Sequence, residues 1–425
     1  MAEVDELMAF LKEAVTPFHA VSAMESRLTA AGFREVTQFD GQDMEPGQGY
    51  FLTRQGSSLV ALRTGEGSPK EGLRLVGAHT DSPNLSIKPN PVKGRDGCVQ
   101  LGVDVYGGAL LNPWFDRDLA MAGRVTVLTA DECLESVLFD SMRPVAIVPS
   151  LAIHLDREAN NQRSVNPQKD VVPVVMLGDP AAFDLKKWLV EQLAERDPRW
   201  QGSRVMDYEL SLYDTQAPGL VGIDNALIAS ARLDNLLSCF AGLSALIDAD
   251  DAQWSMLVAT DHEEVGSAST VGAQGPMLMD ALNGLVSEAQ QNSRLRLQSW
   301  MLSVDNAHAV HPNYADRHDE QHGPKLGQGP VIKVNRNQRY ATNADGAARL
   351  RLLAERAGVD IQSFVMRADL ACGSTIGPIT ATETGIPTTD LGVPTLAMHS
   401  IRELASAADL PQLTALLRAF YRRLA

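Results

Sequence analysis

Two adjacent carboxylates, Glu263 and Glu264, come shortly after the apolar run Ser255–Thr260. This pattern predicts a buried strand that ends in acids, at the edge of the sheet where open α/β folds collect their ligands. Neighbouring residues on an extended chain point in different directions, so the two carboxylates suit different tasks. One can bind a metal ion while the other carries a proton. On its own, the motif also fits a strand followed by a solvated acidic loop.

Other histidines and acids follow an apolar run or lie in a turn. They are His79, Asp81, Asp234, Asp305 and His399. Nitrogen and oxygen donors without thiolates suit Zn²⁺ or a similar divalent ion. The set exceeds what one tetrahedral ion needs, and an aspartate can bridge two ions, so it predicts a dinuclear site with the ions roughly 3.5–4 Å apart. Because a metal-bound imidazole usually donates its other N–H to a carboxylate, we expect Asp81 to orient His79 rather than to bind metal.

The elements that must position these residues indicate an α/β domain interrupted by a long insertion. Apolar runs at 73–78, Ser255–Thr260 and Trp300–Val304 predict strands, and an amphipathic helix is predicted over 410–424. Between 89 and 224, short β-like runs broken by Gly, Pro and Asp indicate a separate, mainly β domain. The predicted organisation is a catalytic domain in two parts, 1–88 and 225–425, with the insertion over 89–224.

Length, charge and cysteine usage exclude several classes of protein. At 425 residues the chain exceeds one simple core, which favours two or three domains. A formal charge of -16 without a basic tract argues against binding to nucleic acid or to anionic membranes. No apolar run reaches membrane length, and the acidic, amphipathic start differs from a signal peptide. The four cysteines lack CxxC spacing, which favours buried thiols in a cytoplasmic protein.

Five blocks of the sequence resemble the aspartyl aminopeptidase family of dinuclear zinc exopeptidases. The blocks are VGAHTDSP at 76–83, RLDN at 232–235, DHEEVGS at 261–267, SVDNAHAVHPN at 303–313 and MHS at 398–400. They span nearly the whole chain in the order expected for the family. The resemblance implies a mixed-sheet, zinc-exopeptidase-like α/β catalytic domain interrupted by a mainly β dimerisation domain.

The resemblance further implies a metal-dependent aminopeptidase that removes N-terminal residues from peptides. The implied ligands of two Zn²⁺ ions per subunit are Asp234 as the bridge, His79 and Asp305 on one ion, and Glu264 and His399 on the other. Glu263 would be the general base, which takes a proton from the attacking water and returns it to the leaving amine. Co²⁺ and Mn²⁺ accept the same kinds of ligand. The subunits would form dimers that assemble into a tetrahedral dodecamer.

Four further residues are candidates for substrate binding. In the family, a histidine in the context of His154 reaches into the neighbouring subunit's active site. It is a weaker possibility that His154 is a third metal ligand. The structural alternative is that His154 is a half-buried strand residue. At a net charge of -16, a preference for N-terminal Asp or Glu needs a local cation, and the segment with Lys333 and Tyr340 resembles the family's acidic side-chain pocket. An exposed strand lysine is the alternative for Lys333. His311 would line the substrate pocket or pack in the core.

Two other functions share part of this pattern. A related dimetal amidohydrolase or deacylase would have the strand-end His and Asp ligands but would not be expected to carry the Lys333 region. A noncatalytic shell protein would keep the fold but lack a ligand or Glu263, and none of these residues is missing. The sequence therefore favours a cytoplasmic metalloaminopeptidase that acts on peptides.

Overall fold

The computed structural model describes residues 2–422, which form two compact units. The first unit comprises 2–82, 218–398 and 403–422, and the second comprises Pro83–Ala217 and His399–Arg402. The second unit starts and ends a few residues before the bounds of 89 and 224 that the sequence predicts. Met1 and the last residues of the predicted helix 410–424 lie outside the described range. The domain bounds and the dimerisation role of the insertion stay predictions.

Two helices and four strands precede the insertion in the first unit. They are α1 (Ala2–Glu13), α2 (Pro17–Ala30), β1 (Arg34–Glu35), β2 (Gly49–Arg54), β3 (Ser58–Arg63) and β4 (Arg74–His79). The second unit contains β5 (Asn84–Arg95), β6 (Cys98–Tyr106), β7 (Leu119–Leu128), β8 (Leu134–Asp140), α3 (Ala159–Gln162), β9 (Val174–Leu177), α4 (Leu185–Arg196) and β10 (Arg204–Asp214).

After the insertion, the first unit continues to the end of the described chain. Its elements are β11 (Gly219–Val221), β12 (Leu227–Ser230), α5 (Leu233–Ile247), β13 (Ser255–Thr260), α6 (Met277–Leu285), α7 (Ala289–Gln298), β14 (Trp300–Val304), β15 (Ala307–His308), β16 (Val331–Val334), α8 (Ala344–Ala357), β17 (Gln362–Val365), α9 (Ile376–Thr384), β18 (Thr388–Gly392), β19 (Pro394–Leu396), β20 (Glu403–Ser406) and α10 (Asp409–Tyr421).

A nine-stranded mixed sheet forms the centre of the first unit, in the order β1-β2-β3-β13-β4-β14-β18-β16-β17. The four neighbours β13, β4, β14 and β18 run parallel, while β3 and β16 flank them in the antiparallel direction. A smaller five-stranded sheet has the order β11-β12-β20-β19-β15. The parallel block matters for function because it directs several strand ends to one edge of the sheet.

Both faces of the parallel block are buried, and this explains the apolar runs in the sequence. In β13, Leu257 and Ala259 pack into the core that includes α1, α5 and α10. The alternate residues Met256 and Val258 pack into the opposite core with α6. Successive side chains of a strand point to opposite faces, so a strand covered by helices on both sides must be apolar throughout.

The second unit is built on a six-stranded sheet in the order β8-β7-β10-β5-β6-β9, and its pairings are antiparallel. Helix α4 packs on this sheet through Leu185, Leu189 and Leu193, which belong to the unit's core. The predicted fold class, a mixed-sheet α/β chain with a mainly β insertion, is therefore confirmed. No helix within residues 2–422 is long and apolar enough to span a membrane.

A buried carboxylate connects α10 to the loop that precedes β16. Asp409 accepts hydrogen bonds from the backbone N–H groups of Gly327 (2.8 Å) and Gly329 (2.9 Å). Its side chain is fully buried, and this burial raises the pKa of the Asp409 carboxyl to about 6. The two backbone donors oppose that rise. The native protein therefore binds the Asp409 proton more tightly than the unfolded chain does.

We expect Asp409 to make stability depend on pH. Since its carboxyl has a pKa of about 4 when unfolded and about 6 when folded, the native state loses stability as pH rises across this window. Asp409→Asn removes this titration. The stability advantage of the wild type over the variant should fall by roughly 2–3 kcal/mol between pH 4 and pH 7. Urea unfolding at several pH values measures it, with the exposed Asp131→Asn as control. A pH-independent difference would contradict the raised pKa.

Candidate active site

The carboxyl ends of neighbouring parallel strands place the first candidate residues together. His79 is the last residue of β4 and lies in register with Thr260, the last residue of β13. On the other side, β14 ends at Val304, so Asp305 leaves the same edge. Parallel pairing therefore gives an imidazole, a carboxylate and the turn that follows β13 a common position on the sheet.

Three buried residues form a compact set of possible metal ligands. His79 Nε2 lies 3.4 Å from Asp234 Oδ1 and 3.5 Å from Asp305 Oδ1. One ligand atom from each of the three residues lies within 4.8 Å of the others. Asp305 Oδ1 is buried and accepts no hydrogen bond from residues 2–422. A divalent cation fits this donor set, since carboxylate oxygens and an imidazole nitrogen are its usual ligands.

The electrostatics of His79 favour a positive charge at this position. Burial of the ring opposes the charged form, but the carboxylates of Asp234, Asp305 and Asp81 outweigh it and raise the pKa of His79 well above its usual value. The surrounding acids thus stabilise a cation at the imidazole. A metal ion on Nε2 would supply that charge in place of a proton.

Asp81 organises both the imidazole and the acidic turn. His79 Nδ1 lies 3.0 Å from the Asp81 backbone oxygen and 3.3 Å from Asp81 Oδ1. The same carboxylate accepts hydrogen bonds from Glu263 N–H and Glu264 N–H, both at 3.1 Å. This contact to His79 has the geometry that the predicted orienting role of Asp81 needs, and the role itself stays a prediction. Its bonds to the turn come from the fold, and the sequence pattern does not predict them.

Glu263 and Glu264 lie in a short 3-10 turn, Glu263–Val265, and not on an extended strand. His262 before the turn has a positive φ of 64°, and its Nδ1 lies 2.8 Å from Ser269 Oγ, which fits a structural role. Ligand atoms of His79, Glu263 and Glu264 lie within 4.8 Å of one another. The tight turn therefore brings both carboxylates to the imidazole.

Glu263 has the acidity that proton transfer requires. Burial raises the pKa of its carboxyl to about 7; His79 opposes the rise, while Asp305 and Asp234 add to it. A carboxyl that titrates near neutral pH can both accept and return a proton.

Asp234 and its neighbour Asn235 are held by contacts from three separate segments. Its N–H donates to Glu403 Oε2 at 2.9 Å, and its backbone oxygen accepts from Ser82 Oγ at 2.7 Å. The next residue, Asn235, donates from Nδ2 to the Val304 carbonyl at 2.8 Å. Sequence reasoning missed Glu403, which is buried on β20. Its position after the MHS block is the only sequence signal that could have indicated it.

Lys333 and Tyr340 also lie beside Asp305. Lys333 is only 1% exposed, so the alternative of an exposed strand lysine is wrong. Its Nζ lies 3.2 Å from Asp305 Oδ2 and 5.1 Å from the centre of the Tyr340 ring. Tyr340 is itself buried and packs near Phe364. The structure thus places a cation next to a candidate metal ligand.

Three candidate histidines remain, namely His311, His399 and His154. His311 is partly exposed, accepts a hydrogen bond from Asn313 N–H and lies 4.9 Å from the Tyr314 ring. His399 belongs to the second unit, where its Nδ1 lies 3.1 Å from the Gly108 carbonyl. His154 is exposed in the loop between β8 and α3 of that unit. The roles of these three histidines stay predictions.

Comparison with known proteins identifies the family. Residues 10–421 match the family model for Aminopeptidase I zinc metalloprotease (M18). A probable M18 family aminopeptidase 2 from Pseudomonas putida is 53% identical over 419 residues, 98% of this chain and 97% of the relative. Its namesake from Pseudomonas aeruginosa is 53% identical over 423 residues, 99% and 98% of the two chains.

Solved structures share the fold. The chain superposes on the cryo-EM structure of the Ape4 and Nbr1 complex with a TM-score of 0.93 at 37% identity, covering 98% of this chain and 84% of that one. The mApe1 dodecamer of S. cerevisiae gives a TM-score of 0.83 at 26% identity, covering 98% and 95%. The fold and these matches define a zinc metalloprotease. The chain belongs to the M18 family and is an aminopeptidase.

We expect Asp81→Asn to weaken metal binding and catalysis together. An asparagine side chain has one acceptor oxygen, so it cannot receive both N–H groups of the Glu263–Val265 turn while facing His79. Loss of such an orienting partner typically costs about 10–100-fold in metal affinity or activity. Zinc content after dialysis against a chelator and peptidase rate measure the effect. The exposed Asp280→Asn is the control, and wild-type values in both assays would refute the role of Asp81.

Proposed function

We propose that this M18 aminopeptidase uses two zinc ions per subunit and prefers peptides that begin with Asp or Glu. The observation that carries the proposal is the buried group of His79, Asp234 and Asp305, whose ligand atoms lie within 4.8 Å. The Glu263–Glu264 turn adds two further carboxylates beside the same imidazole. Such a set has more oxygen and nitrogen donors than one tetrahedral ion takes.

The proposed ligand assignment follows the sequence motifs and the chemistry of the donors. Asp234 would bridge the ions, with His79 and Asp305 on one and Glu264 and His399 on the other. When bound, the ions would polarise a water molecule and the scissile carbonyl. Zn²⁺ suits these ligands, and Co²⁺ or Mn²⁺ would also fit.

Glu263 would carry the proton during peptide hydrolysis. Its carboxylate would accept a proton from water as the water attacks the scissile carbonyl, and the carboxyl would then donate this proton to the leaving amine. The pKa of about 7 that burial gives Glu263 supports both steps. The bonds from Asp81 to the N–H groups of the turn would hold Glu263 in place throughout.

A buried lysine supports the preference for acidic N-terminal residues. The formal charge of -16 repels acidic peptides at long range, so selectivity has to come from a local contact. Lys333 would meet the substrate's side-chain carboxylate, with Tyr340 beside it and His311 lining the pocket further out. An amidohydrolase or deacylase would not be expected to carry this region.

The function is tested by zinc analysis and hydrolysis of peptides that begin with Asp, Glu, Leu or Lys. We expect two zinc ions per subunit, fastest hydrolysis of the Asp and Glu peptides, and loss of all activity on chelation, which zinc should restore. Equal rates on all four peptides would remove the proposed specificity. One ion per subunit would remove the dinuclear mechanism, and inert protein with bound zinc would revive the shell-protein alternative.

We further propose that the second unit mediates assembly into dimers and then a tetrahedral dodecamer. Leu151, Ile153 and Leu155 are 61%, 44% and 75% exposed, three large apolar side chains within five residues. Exposed apolar clusters of this kind mark protein interfaces. His154 lies among them, and we propose that it reaches the neighbouring subunit's active site. A solved M18 relative, the S. cerevisiae mApe1, is a dodecamer.

A cytoplasmic location is part of the same proposal. All four cysteines are free thiols, and three of them are buried or partly buried. Secreted proteins commonly oxidise such residues to disulfides, whereas cytoplasmic thiols stay reduced. The thiol state therefore agrees with a reducing compartment.

A mixing experiment tests the shared active site. His154→Ala and Glu263→Gln should each be nearly inactive alone, because one lacks the incoming histidine and the other the proton carrier. After dissociation and reassembly of an equal mixture, half of the dimers are mixed and each has one complete site. Activity should therefore recover to about a quarter of wild type. Mixed oligomers without recovery would show that His154 serves its own subunit or none. The partly exposed His322→Ala, in place of His154→Ala, is the control.

A further inference from the structure

The contacts of Lys333 indicate a second task for this residue. Its side chain leaves β16 and is almost completely buried. Nζ lies 3.2 Å from Asp305 Oδ2 and 3.1 Å from the Asn306 carbonyl oxygen. It also lies 5.1 Å from the centre of the Tyr340 ring. An ammonium group has three donors; two of them meet these oxygens, and the face of the Tyr340 ring lies at cation–π distance.

The two carboxylate oxygens of Asp305 have different surroundings. Oδ2 receives the charged hydrogen bond from Lys333. Oδ1 faces His79 Nε2 at 3.5 Å and accepts no hydrogen bond from the described chain. A carboxylate with one oxygen fixed by a buried ammonium cannot rotate freely about its Cβ–Cγ bond. The other oxygen therefore keeps one direction, toward the imidazole that is proposed to share its metal ion.

Because the ion pair between Lys333 and Asp305 is buried, it requires good geometry. A desolvated ion pair is favourable only when its geometry is good and its remaining donors are satisfied. The Asn306 carbonyl fixes the ammonium to the backbone directly after Asp305, so both acceptors belong to consecutive residues of one segment. The side chain of Lys333 therefore has little freedom to leave Asp305 without losing two bonds together.

We propose that Lys333 is a positioning residue for the metal centre, which turns Asp305 Oδ1 toward the ion by holding Oδ2. This inference rests on the proposed metal ligation and adds to the proposed contact with acidic substrates. Lys333 would then connect specificity to metal geometry. An acidic substrate side chain would approach the same ammonium that orients a metal ligand.

The test is metal binding by Lys333→Met, which keeps a side chain of similar length but removes the ammonium. We expect one of the two zinc ions to bind about 10–100-fold more weakly, the cost usual for losing a group that orients a metal ligand. Competition with a chromophoric chelator measures this directly, without any substrate. The visible absorption of the Co²⁺-loaded protein should also change, because it reports ligand geometry at the ion.

Controls separate this inference from the proposed function. Lys325→Met, an exposed lysine in the loop before β16, should bind zinc like the wild type. Lys333→Leu also removes every donor and is assayed in the same way if Lys333→Met does not fold. Wild-type zinc affinity and an unchanged Co²⁺ spectrum in the folded Lys333 variant would overturn the positioning role, even if the preference for acidic peptides is lost. A wild-type protein that binds no zinc would instead overturn the proposed function.

Discussion

The parallel pairing of β13, β4 and β14 is the constraint on which the site depends. These strands are buried on both faces, and their register puts His79 beside Thr260 at one edge. Because burial fixes the strands, their ends hold a histidine and several acids with no freedom to separate. The cost is a concentration of negative charge in a poorly solvated place, where carboxylates are unfavourable unless a cation accompanies them.

The protein offsets that cost with a small number of shared contacts. The proton or metal ion on His79, the ammonium of Lys333 and the N–H groups donated to Asp81 each stabilise a carboxylate. Glu403 takes part through the Asp234 N–H. Most of these groups contact more than one partner. The result is a single connected network of the acids, the imidazole and the backbone of the turn.

The strand ends could be predicted from the sequence because each buried strand is a nearly continuous apolar run followed at once by polar residues. The fold class and the grouping of His79, Asp305 and the two glutamates follow from that pattern. Motif resemblance added the proposed role of Asp234 as the bridge between the ions. Sequence could not show contacts between distant segments, such as Glu403 with Asp234, which are 169 residues apart. The pairing of Lys333 with Asp305 was missed for the same reason, since strand periodicity shows neither depth nor partner.

The double role of Asp81 has an evolutionary consequence. Asp81 holds both the His79 ring, which is proposed to bind metal, and the turn that carries the proposed base Glu263. Metal binding and proton transfer therefore cannot change independently in evolution. A substitution at Asp81 that changes the position of the His79 ring therefore also changes the position of the Glu263–Val265 turn. Variation among relatives should therefore accumulate in the loops that select substrates, while the hydrolytic machinery changes as a block or stays as it is.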